Sequence, residues 1–345
     1  MYTRLRNNFY FCQKSCLMKV LGMGNALVDV IVPLASDTLL AELGLPKGSM
    51  QLLDVDRLEQ IQQATAMIKV ELASGGSAAN TVHGLAALGL ETGFVGSLGR
   101  DEFGEFFTND LREKGIKPII NYSEAPTGRA TAFVSPDSER TFGTFLGAAM
   151  ELSADHLTAD LFTGYDFLYI EGYLVQNHQL IEKAVQEAKK AGLKVALDLA
   201  SYNVVEENRE FLERLLKEYV DLVFANEDES RAISGMEPEG ALRLLSEWCE
   251  DAVVKIGKEG SLILSEGELI AIDSIAAKAV DTSGAGDLYA AGYLFGKSKG
   301  LPKYQCGQIG SLISGKVIEF MGPKLPLSAW PDVLAKIKQI ELHVQ

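Results

Sequence analysis

One glycine-rich segment combines the residue types that could bind an anion and react beside it. Asp281–Asp287 contains Gly284, Ala285 and Gly286, whose small side chains leave the backbone N–H groups accessible. An apolar periodic run follows, so these amides are predicted at a helix N-terminus, where the helix dipole favours an anion. Asp287 falls in the first helical turn, where it could accept an alcohol proton during phosphoryl transfer. The alternative is an ordinary glycine-rich helix cap with a favourable acidic residue.

A second glycine-rich segment, Gly75–Asn80, precedes another apolar periodic run. The paired glycines Gly75 and Gly76 permit close approach of the backbone to a ligand. Asn80 lies one helical turn after Ser77, so both side chains share one face of the predicted helix. This segment therefore offers polar groups at a second helix N-terminus.

Together the two segments resemble the two motifs of the PfkB (ribokinase-like) family of sugar and nucleoside kinases. The resemblance extends from about Lys19 to the C-terminus. It is specific because the two motifs, about two hundred residues apart, occur in the family's order with intermediate markers between them. It implies a kinase that uses ATP to phosphorylate an alcohol, built on a ribokinase-like α/β fold with a small β lid.

The resemblance implies a catalytic group and an acceptor site. Asp287 would be the base, with its pKa near the reference value of about 3.9, and the amides of Gly284, Ala285 and Gly286 would stabilise the phosphoryl charge. The implied acceptor contacts are Asn25, Asp29, Gly75, Gly76, Ser77 and Asn80. A dinucleotide-binding motif at Gly22–Asn25 is the competing interpretation, but it lacks the third glycine and has Asp29 where a helix should run.

The resemblance also implies a site for ATP. Asn226 and Glu229 match the family's Asn-x-x-Glu motif and would hold Mg²⁺ and phosphate through water, since Mg²⁺ gives up its hydration shell reluctantly. Without the resemblance, this acidic run would be interpreted as a helix cap. The implied nucleotide contacts are Asn226, Lys255, Gly257, Gly260, Thr282, Gly284 and Gly286. The segment Asp281–Asp287 is called the anion loop below. Family members often bind K⁺ beside this loop, in regions occupied here by Asp281, Ser283 and the Met321-Gly322 turn.

The acceptor is predicted less specifically than the reaction. Asn25, Asp29 and Pro126–Gly128 look more like the adenosine-kinase-like members, in which Phe142 and Leu146 would make apolar contacts to a nucleobase. Packing within the lid is the alternative role for both. A nucleoside is therefore favoured, with a free sugar (ribose, fructose or a keto-deoxy sugar acid) as second choice. A catalytically silent ligand-binding regulator is a further alternative, which the intact Asp287 disfavours.

The remaining chain predicts the elements that position these residues. Apolar runs at 167–170, 195–199, 222–224 and 253–256 alternate with amphipathic helical patterns, which indicates a mainly parallel sheet with helices on both faces. A hairpin is expected over 261–272. Early strand-like pieces without helices between them predict a discontinuous lid, roughly 30–53 and 116–147, within a kinase domain of 19–345. Residues 1–18 are outside the pattern and are interpreted as a disordered tail or a misannotated start.

Composition excludes several functional classes. The 345 residues carry a net charge of −15, from 47 acidic against 32 basic residues, which argues against nucleic-acid binding. No apolar run reaches the ~18–20 residues of a membrane span. Four cysteines (Cys12, Cys16, Cys249 and Cys306) show no metal or disulfide pattern, so we expect a reduced, cytoplasmic protein. The expected partner is a small-molecule sugar or nucleoside, and the chain is expected to be a monomer or homodimer.

Overall fold

The computed structural model describes residues 18–137 and 139–342. Within these residues the chain forms two sheets, and their strands in chain order are β1 Val20–Met23, β2 Leu27–Pro33, β3 Met50–Leu52, β4 Glu71–Gly75, β5 Thr92–Gly99, β6 Lys117–Ser123, β7 Gly128–Val134, β8 Arg140–Phe145, β9 Phe167–Glu171, β10 Lys194–Asp198, β11 Leu222–Asn226, β12 Asp251–Lys255, β13 Ser261–Ser265 and β14 Glu268–Ile272. The expectation for residues 1–17, with Cys12 and Cys16, lies outside the described residues.

The α-helices fall between and after these strands. In chain order they are α1 Thr38–Glu42, α2 Val55–Thr65, α3 Ser77–Ala87, α4 Glu102–Glu113, α5 His178–Lys190, α6 Tyr202–Glu207, α7 Arg209–Glu218, α8 Glu227–Ser234, α9 Pro238–Trp248, α10 Ala285–Ser298, α11 Lys303–Val317 and α12 Trp330–Leu342. No helix in the described part of the chain is long and apolar enough to cross a membrane.

The large sheet has nine strands in the order β14-β13-β12-β11-β10-β9-β1-β5-β6. Seven of these strands pair in parallel, in the order β12-β11-β10-β9-β1-β5-β6. Strands β13 and β14 form a hairpin that pairs antiparallel with β12. Side chains alternate between two cores: Phe167 and Tyr169 of β9 pack on one face, and Leu168 and Ile170 pack on the other. This two-sided burial explains the continuous apolar runs. The predicted α/β fold, a mainly parallel sheet with helices on both faces, is confirmed.

The small sheet, called the lid sheet below, has the order β3-β8-β7-β2-β4. One face packs against α1 and α2: Val32 and Phe133 lie in one core with Leu40 of α1 and Ile61 of α2. The other face carries Asp29 and is directed toward the loop before α10, because Arg140, on that face, pairs with Asp281. The lid therefore has one structural face and one face available to a ligand.

Two details of the predicted lid differ from the structure. The strand predicted at 116–121 is β6, which pairs in parallel with β5 in the large sheet and not in the lid. The early strands also have α1 and α2 between them, so the prediction of strands without helices was wrong. The fifth lid strand, β4, carries Gly75 and leads directly into the second glycine-rich segment. The hairpin over 261–272 is present, with Glu266 and Gly267 in the left-handed region as a tight turn requires.

Candidate active site

Both glycine-rich segments open helices, as predicted. Gly284 caps α10 with φ of 72°, a left-handed conformation that glycine adopts without strain. The Pro323 carbonyl oxygen lies 2.5 Å from the position that a Cβ on Gly284 would occupy, so a side chain would not fit there. Gly76 caps α3 with φ of 97°, and a Cβ on Gly76 would overlap the carbonyl oxygen of Asn25. Two helix N-termini thus point into one region between the lid and the large sheet.

Asp287 joins these two helices. Its carboxylate accepts hydrogen bonds from Ser77 Oγ at 2.6 Å and from Asn80 Nδ2 at 2.9 Å. Burial raises the pKa of Asp287 to about 6, although the two donors act in the opposite direction. The expectation of an ordinary aspartate pKa was therefore wrong, because the sequence does not show how deeply the carboxylate is enclosed. This makes Asp287 a stronger base than an exposed aspartate.

Asp29 is a second, half-buried carboxylate of the region. It lies on β2, and its oxygens are 2.5 and 2.6 Å from the position that a Cβ on Gly75 would occupy. Burial raises its pKa to about 6, while Lys324 and Arg140 lower it. The absence of a side chain at Gly75 leaves room for this carboxylate at the end of β4.

Asn25 has a structural contact that the sequence did not indicate. Its amide N–H donates to Glu171 at 2.8 Å, and Ala78 N–H donates to the same carboxylate at 2.9 Å. Glu171 is fully enclosed at the end of β9, and burial raises its pKa to about 7. This carboxylate thus holds the chain after β1 against the start of α3.

The predicted nucleotide residues gather at the carboxyl ends of the parallel strands, where α/β sheets bind ligands. A cavity of about 590 Å³ is lined by Asn226, Lys255, Gly257, Gly260, Thr282 and Gly286, together with apolar residues that include Ile275, Ala279 and Ile318. Gly284 is outside this lining. The volume is in the usual range for a small-molecule site.

The Asn226 and Glu229 pair forms a capping box at the start of α8. Asn226 donates from its backbone N and its Nδ2 to the two carboxylate oxygens of Glu229, at 2.8 and 2.7 Å. Burial and the nearby Asp198 raise the pKa of Glu229 to about 7. No group of three or more His, Cys, Asp or Glu side chains in the described residues is arranged to hold a metal ion. The helix-cap interpretation and the predicted contact through water are both compatible with this geometry.

Asp281 makes contacts that bear on the predicted K⁺ position. Its Oδ2 accepts from Arg140 at 2.8 Å and from Gly322 N at 2.6 Å, and its Oδ1 accepts from Ser283 N at 3.0 Å. Arg140 also contacts the Met321 sulfur. A K⁺ ion at this carboxylate would therefore compete with a guanidinium group.

The lid face that carries Asp29 has an apolar row of side chains beside that residue. Register pairs Ile31 with Ala132 and Ala132 with Phe142, so these three form one row on the Asp29 face, next to the row of Asp29 itself. Phe142 is half-buried. Leu146 directly follows β8 and is also half-buried. The position of Phe142 is compatible with a contact to a ligand held by Asp29.

Four charged residues of this region were not predicted from the sequence: Arg140, Glu171, Asp198 and Lys324. Glu171 and Asp198 end β9 and β10, so the carboxyl ends of predicted parallel strands were a usable signal. Lys324 contacts Ser74 of β4 and lies 3.5 Å from Asp110 of α4. No local pattern marks Arg140 or Lys324, because their contacts join distant parts of the chain.

Comparison with known proteins agrees with this geometry. The family model described as pfkB family carbohydrate kinase matches residues 48–330. The chain belongs to this family. As a kinase of the pfkB family, it is similar to a solved adenosine kinase from Sinorhizobium meliloti, with 35% identity, a TM-score of 0.81 and coverage of 92% of this chain and 99% of that one.

Two further relatives of this pfkB-family kinase bear on its acceptor. A solved probable sugar kinase from Rhizobium etli has 32% identity, a TM-score of 0.83 and coverage of 94% of this chain and 99% of that one. Adenosine kinase from Saccharomyces cerevisiae is 26% identical over 328 residues, which cover 88% of this chain and 96% of that protein. The relatives thus include kinases named for a nucleoside and for a sugar.

Proposed function

We propose that this kinase transfers the γ-phosphoryl group of ATP to a primary hydroxyl of a nucleoside, with an adenosine-like acceptor favoured. The observation that carries the proposal is the lid face, where the Asp29 carboxylate adjoins the apolar row of Ile31, Ala132 and Phe142. A carboxylate suits ribose hydroxyls, and an apolar aromatic row suits a nucleobase. The likeness to the Sinorhizobium meliloti adenosine kinase supports the same acceptor.

The acceptor would lie against both Asp29 and the Gly75-Gly76 turn, which are in contact with each other, with its primary hydroxyl at Asp287. Ser77 and Asn80 hold the Asp287 carboxylate in one orientation, so little reorganisation precedes proton transfer. As the new bond to phosphorus forms, Asp287 accepts the hydroxyl proton. The amides at the start of α10 then stabilise charge on the phosphoryl oxygens, with the dipole of this 14-residue helix behind them.

ATP would occupy the 590 Å³ cavity, with its base against the apolar wall and its phosphates toward Gly286. Mg²⁺ supplies charge neutralisation for the phosphates when bound. The donor set fits a hydrated ion, since Glu229 and Asn226 already hydrogen-bond to each other and Mg²⁺ gives up its water reluctantly. The proposed roles of Asn226 and Glu229 are therefore to orient that water.

A free sugar is the second candidate acceptor. The observation that favours it is the similarity to the probable sugar kinase from Rhizobium etli, whose TM-score is 0.83. In that case Phe142 would be a packing residue of the lid. A silent ligand-binding protein is disfavoured, because Asp287 is oriented by two donors next to a helix N-terminus.

A phosphorylation screen tests the proposal. Purified protein would be assayed at fixed ATP and Mg²⁺ with a panel of nucleosides and free sugars, and with Asp287→Asn as the matched inactive control. The proposal expects kcat/KM to be at least about 100-fold higher for the best nucleoside than for any sugar, the discrimination that about 3 kcal/mol of base contacts provides. A preference for a sugar would establish the second candidate. No turnover with any acceptor would support the silent protein.

A further inference from the structure

A lysine lies directly at the anion loop. Lys255 is the last residue of β12, and its Nζ is 3.0 Å from the position that a Cβ on Gly286 would occupy. Its side chain is 16% exposed and lines the nucleotide cavity. The ammonium group therefore occupies the space that the absence of a side chain at Gly286 leaves open.

The surroundings of Lys255 are acidic. Its Nζ donates to Asp198 Oδ2 at 2.8 Å, and the carboxylates of Glu229 and Asp287 also act on it electrostatically. Asp198 is held in turn by the backbone N–H of Ala200 at 3.0 Å. One carboxylate thus contacts the ammonium group, and two more act on it electrostatically, at the point where a phosphate should bind.

This balance matters for an anionic ligand. Without Lys255, a nucleoside triphosphate would approach the helix N-terminus past Asp198, Glu229 and Asp287. No other cationic side chain of the described residues lies within 4 Å of the position that a Cβ on Gly286 would occupy. In a site with a low effective dielectric constant, such repulsion is large and weakly screened. Lys255 thus compensates the negative charge of the carboxylates. Asp198 has a second effect, because its hydrogen bond fixes the orientation of the flexible lysine side chain.

We propose that Lys255 is a catalytic residue that contacts the transferring phosphoryl group and that Asp198 is the positioning residue that aims it. This proposal rests on the proposed kinase activity. The acceptor oxygen forms a bond to the γ-phosphorus while the bond from that phosphorus to the bridging oxygen of ADP breaks. ADP keeps the electron pair of the broken bond, and the hydroxyl proton passes to Asp287. Lys255 stays protonated throughout and stabilises charge on the phosphoryl oxygens.

A structural role is the alternative, in which Lys255 only neutralises the buried Asp198. Lys255→Met alone does not separate the two roles, because it leaves a buried carboxylate unpaired and destabilises the protein. The double variant Lys255→Met/Asp198→Asn removes both charges. Asp198→Asn alone keeps the lysine and removes its partner. Lys194→Met is the matched control: Lys194 begins the strand that Asp198 ends, and it pairs with Glu250 at 2.5 Å on the surface.

The catalytic role predicts that the double variant keeps the unfolding temperature of the wild type but loses about 10²- to 10³-fold in kcat, the usual effect of removing one transition-state donor. Asp198→Asn should lose no more than about 10-fold, and Lys194→Met should be unchanged. If the double variant retains more than a tenth of the wild-type kcat, the proposal is wrong, since neutralising Asp198 would then be the only role of Lys255.

Binding measured without an acceptor separates this proposal from the kinase proposal. Calorimetry with ATP and with ADP should show that the double variant loses at least about 10-fold more affinity for ATP than for ADP, because only ATP places a γ-phosphate at Lys255. Equal losses for both nucleotides, or no loss, would overturn the contact even in an active enzyme. A wild-type protein that phosphorylates no acceptor would instead end the kinase proposal, whatever the binding result.

Discussion

Two opposing effects set the pKa of Asp287. Burial raises its pKa to about 6, and the hydrogen bonds from Ser77 and Asn80 moderate that rise. The carboxylate is therefore ionised at neutral pH and is still more basic than a solvated aspartate. A group in this state can accept a proton late in a loose phosphoryl transfer.

Replacing this carboxylate should remove catalysis and preserve binding. We expect Asp287→Asn to lower kcat by at least about 10²-fold, the lower limit for a positioned acid–base group. Asparagine keeps the shape of the side chain, so affinities for ATP and acceptor should change little. Steady-state kinetics and calorimetry measure both effects. A variant with more than a tenth of the wild-type kcat would show that Asp287 is outside the chemistry.

The raised pKa values predict a specific pH dependence. A base must be ionised to accept a proton, and Asp287 with a pKa of about 6 becomes protonated as pH falls through 6, so kcat should fall there. Asp29 also has a pKa of about 6, and kcat/KM reports both groups in the free enzyme. The acid limb of kcat/KM should therefore be steeper than that of kcat. Profiles between about pH 5 and 8 measure this, and a flat kcat down to pH 5 would contradict it.

Asp29 should affect the acceptor alone. If its carboxylate accepts from two adjacent hydroxyls, Asp29→Ala leaves those partners unpaired, at a cost of about 1–3 kcal/mol or more. The acceptor Kd should then rise about 5- to 150-fold or more. Nucleotide affinity in the same calorimetric series is the internal control. Unchanged acceptor affinity, or loss of the fold, would assign Asp29 a structural role.

At the scale of elements, the parts predicted well were those with local signals. Buried strands such as Phe167–Glu171 are continuous apolar runs, and the helices after Gly76 and Gly284 begin where glycines and a new periodicity coincide. Strand β6 was assigned to the wrong sheet because the sequence of a partly buried strand does not specify its partner strand. Arg140 could not be found for a related reason: its contact with Asp281 spans 141 positions of the chain, so only the folded molecule shows it.

The lid face offers a test of the acceptor. If Phe142 flanks a nucleobase, Phe142→Ala should reduce affinity for a nucleoside by about 5- to 150-fold, from the loss of about 1–3 kcal/mol of aromatic burial. A free sugar would not reach this side chain, so its kinetics should hardly change. Measurements of kcat and KM for adenosine and for a free sugar separate the cases.

Phe145→Ala is the matched control for this test, because Phe145 lies on the opposite face of the same strand and is buried. It should lower the unfolding temperature and affect both acceptors alike. Equal losses for both acceptors in Phe142→Ala would make Phe142 a packing residue of the lid.

At the scale of the whole molecule, one short segment touches both the lid and the anion loop. Met321–Lys324 contacts Arg140 of lid strand β8, Asp281 and Gly284 of the anion loop, and Ser74 of lid strand β4. Lys324 is the residue that reaches β4, and Asp110 lies 3.5 Å from its Nζ. The segment therefore joins the part of the lid that holds Asp29 to the loop that would hold phosphate.

Removing that connection should alter how the two ligands affect each other. We expect an acceptor to lower the Kd for ADP by about 5-fold or more in the wild type, within the usual 1–3 kcal/mol for two communicating sites. Lys324→Met should reduce that factor toward one. Lys336→Met, which breaks an exposed 3.0 Å pair with Asp332, should leave it unchanged. Calorimetric titrations of ADP with and without acceptor give the factor directly, and an unaltered factor in Lys324→Met would contradict the role of the segment.

The same segment has a thermodynamic consequence. If a bound acceptor increases the affinity for nucleotide by a given factor, a bound nucleotide must increase the affinity for acceptor by the same factor. A cell that raises the concentration of either substrate would thus increase occupancy by the other. The four residues Met321–Lys324 would thus couple the binding of the nucleotide to the binding of the acceptor.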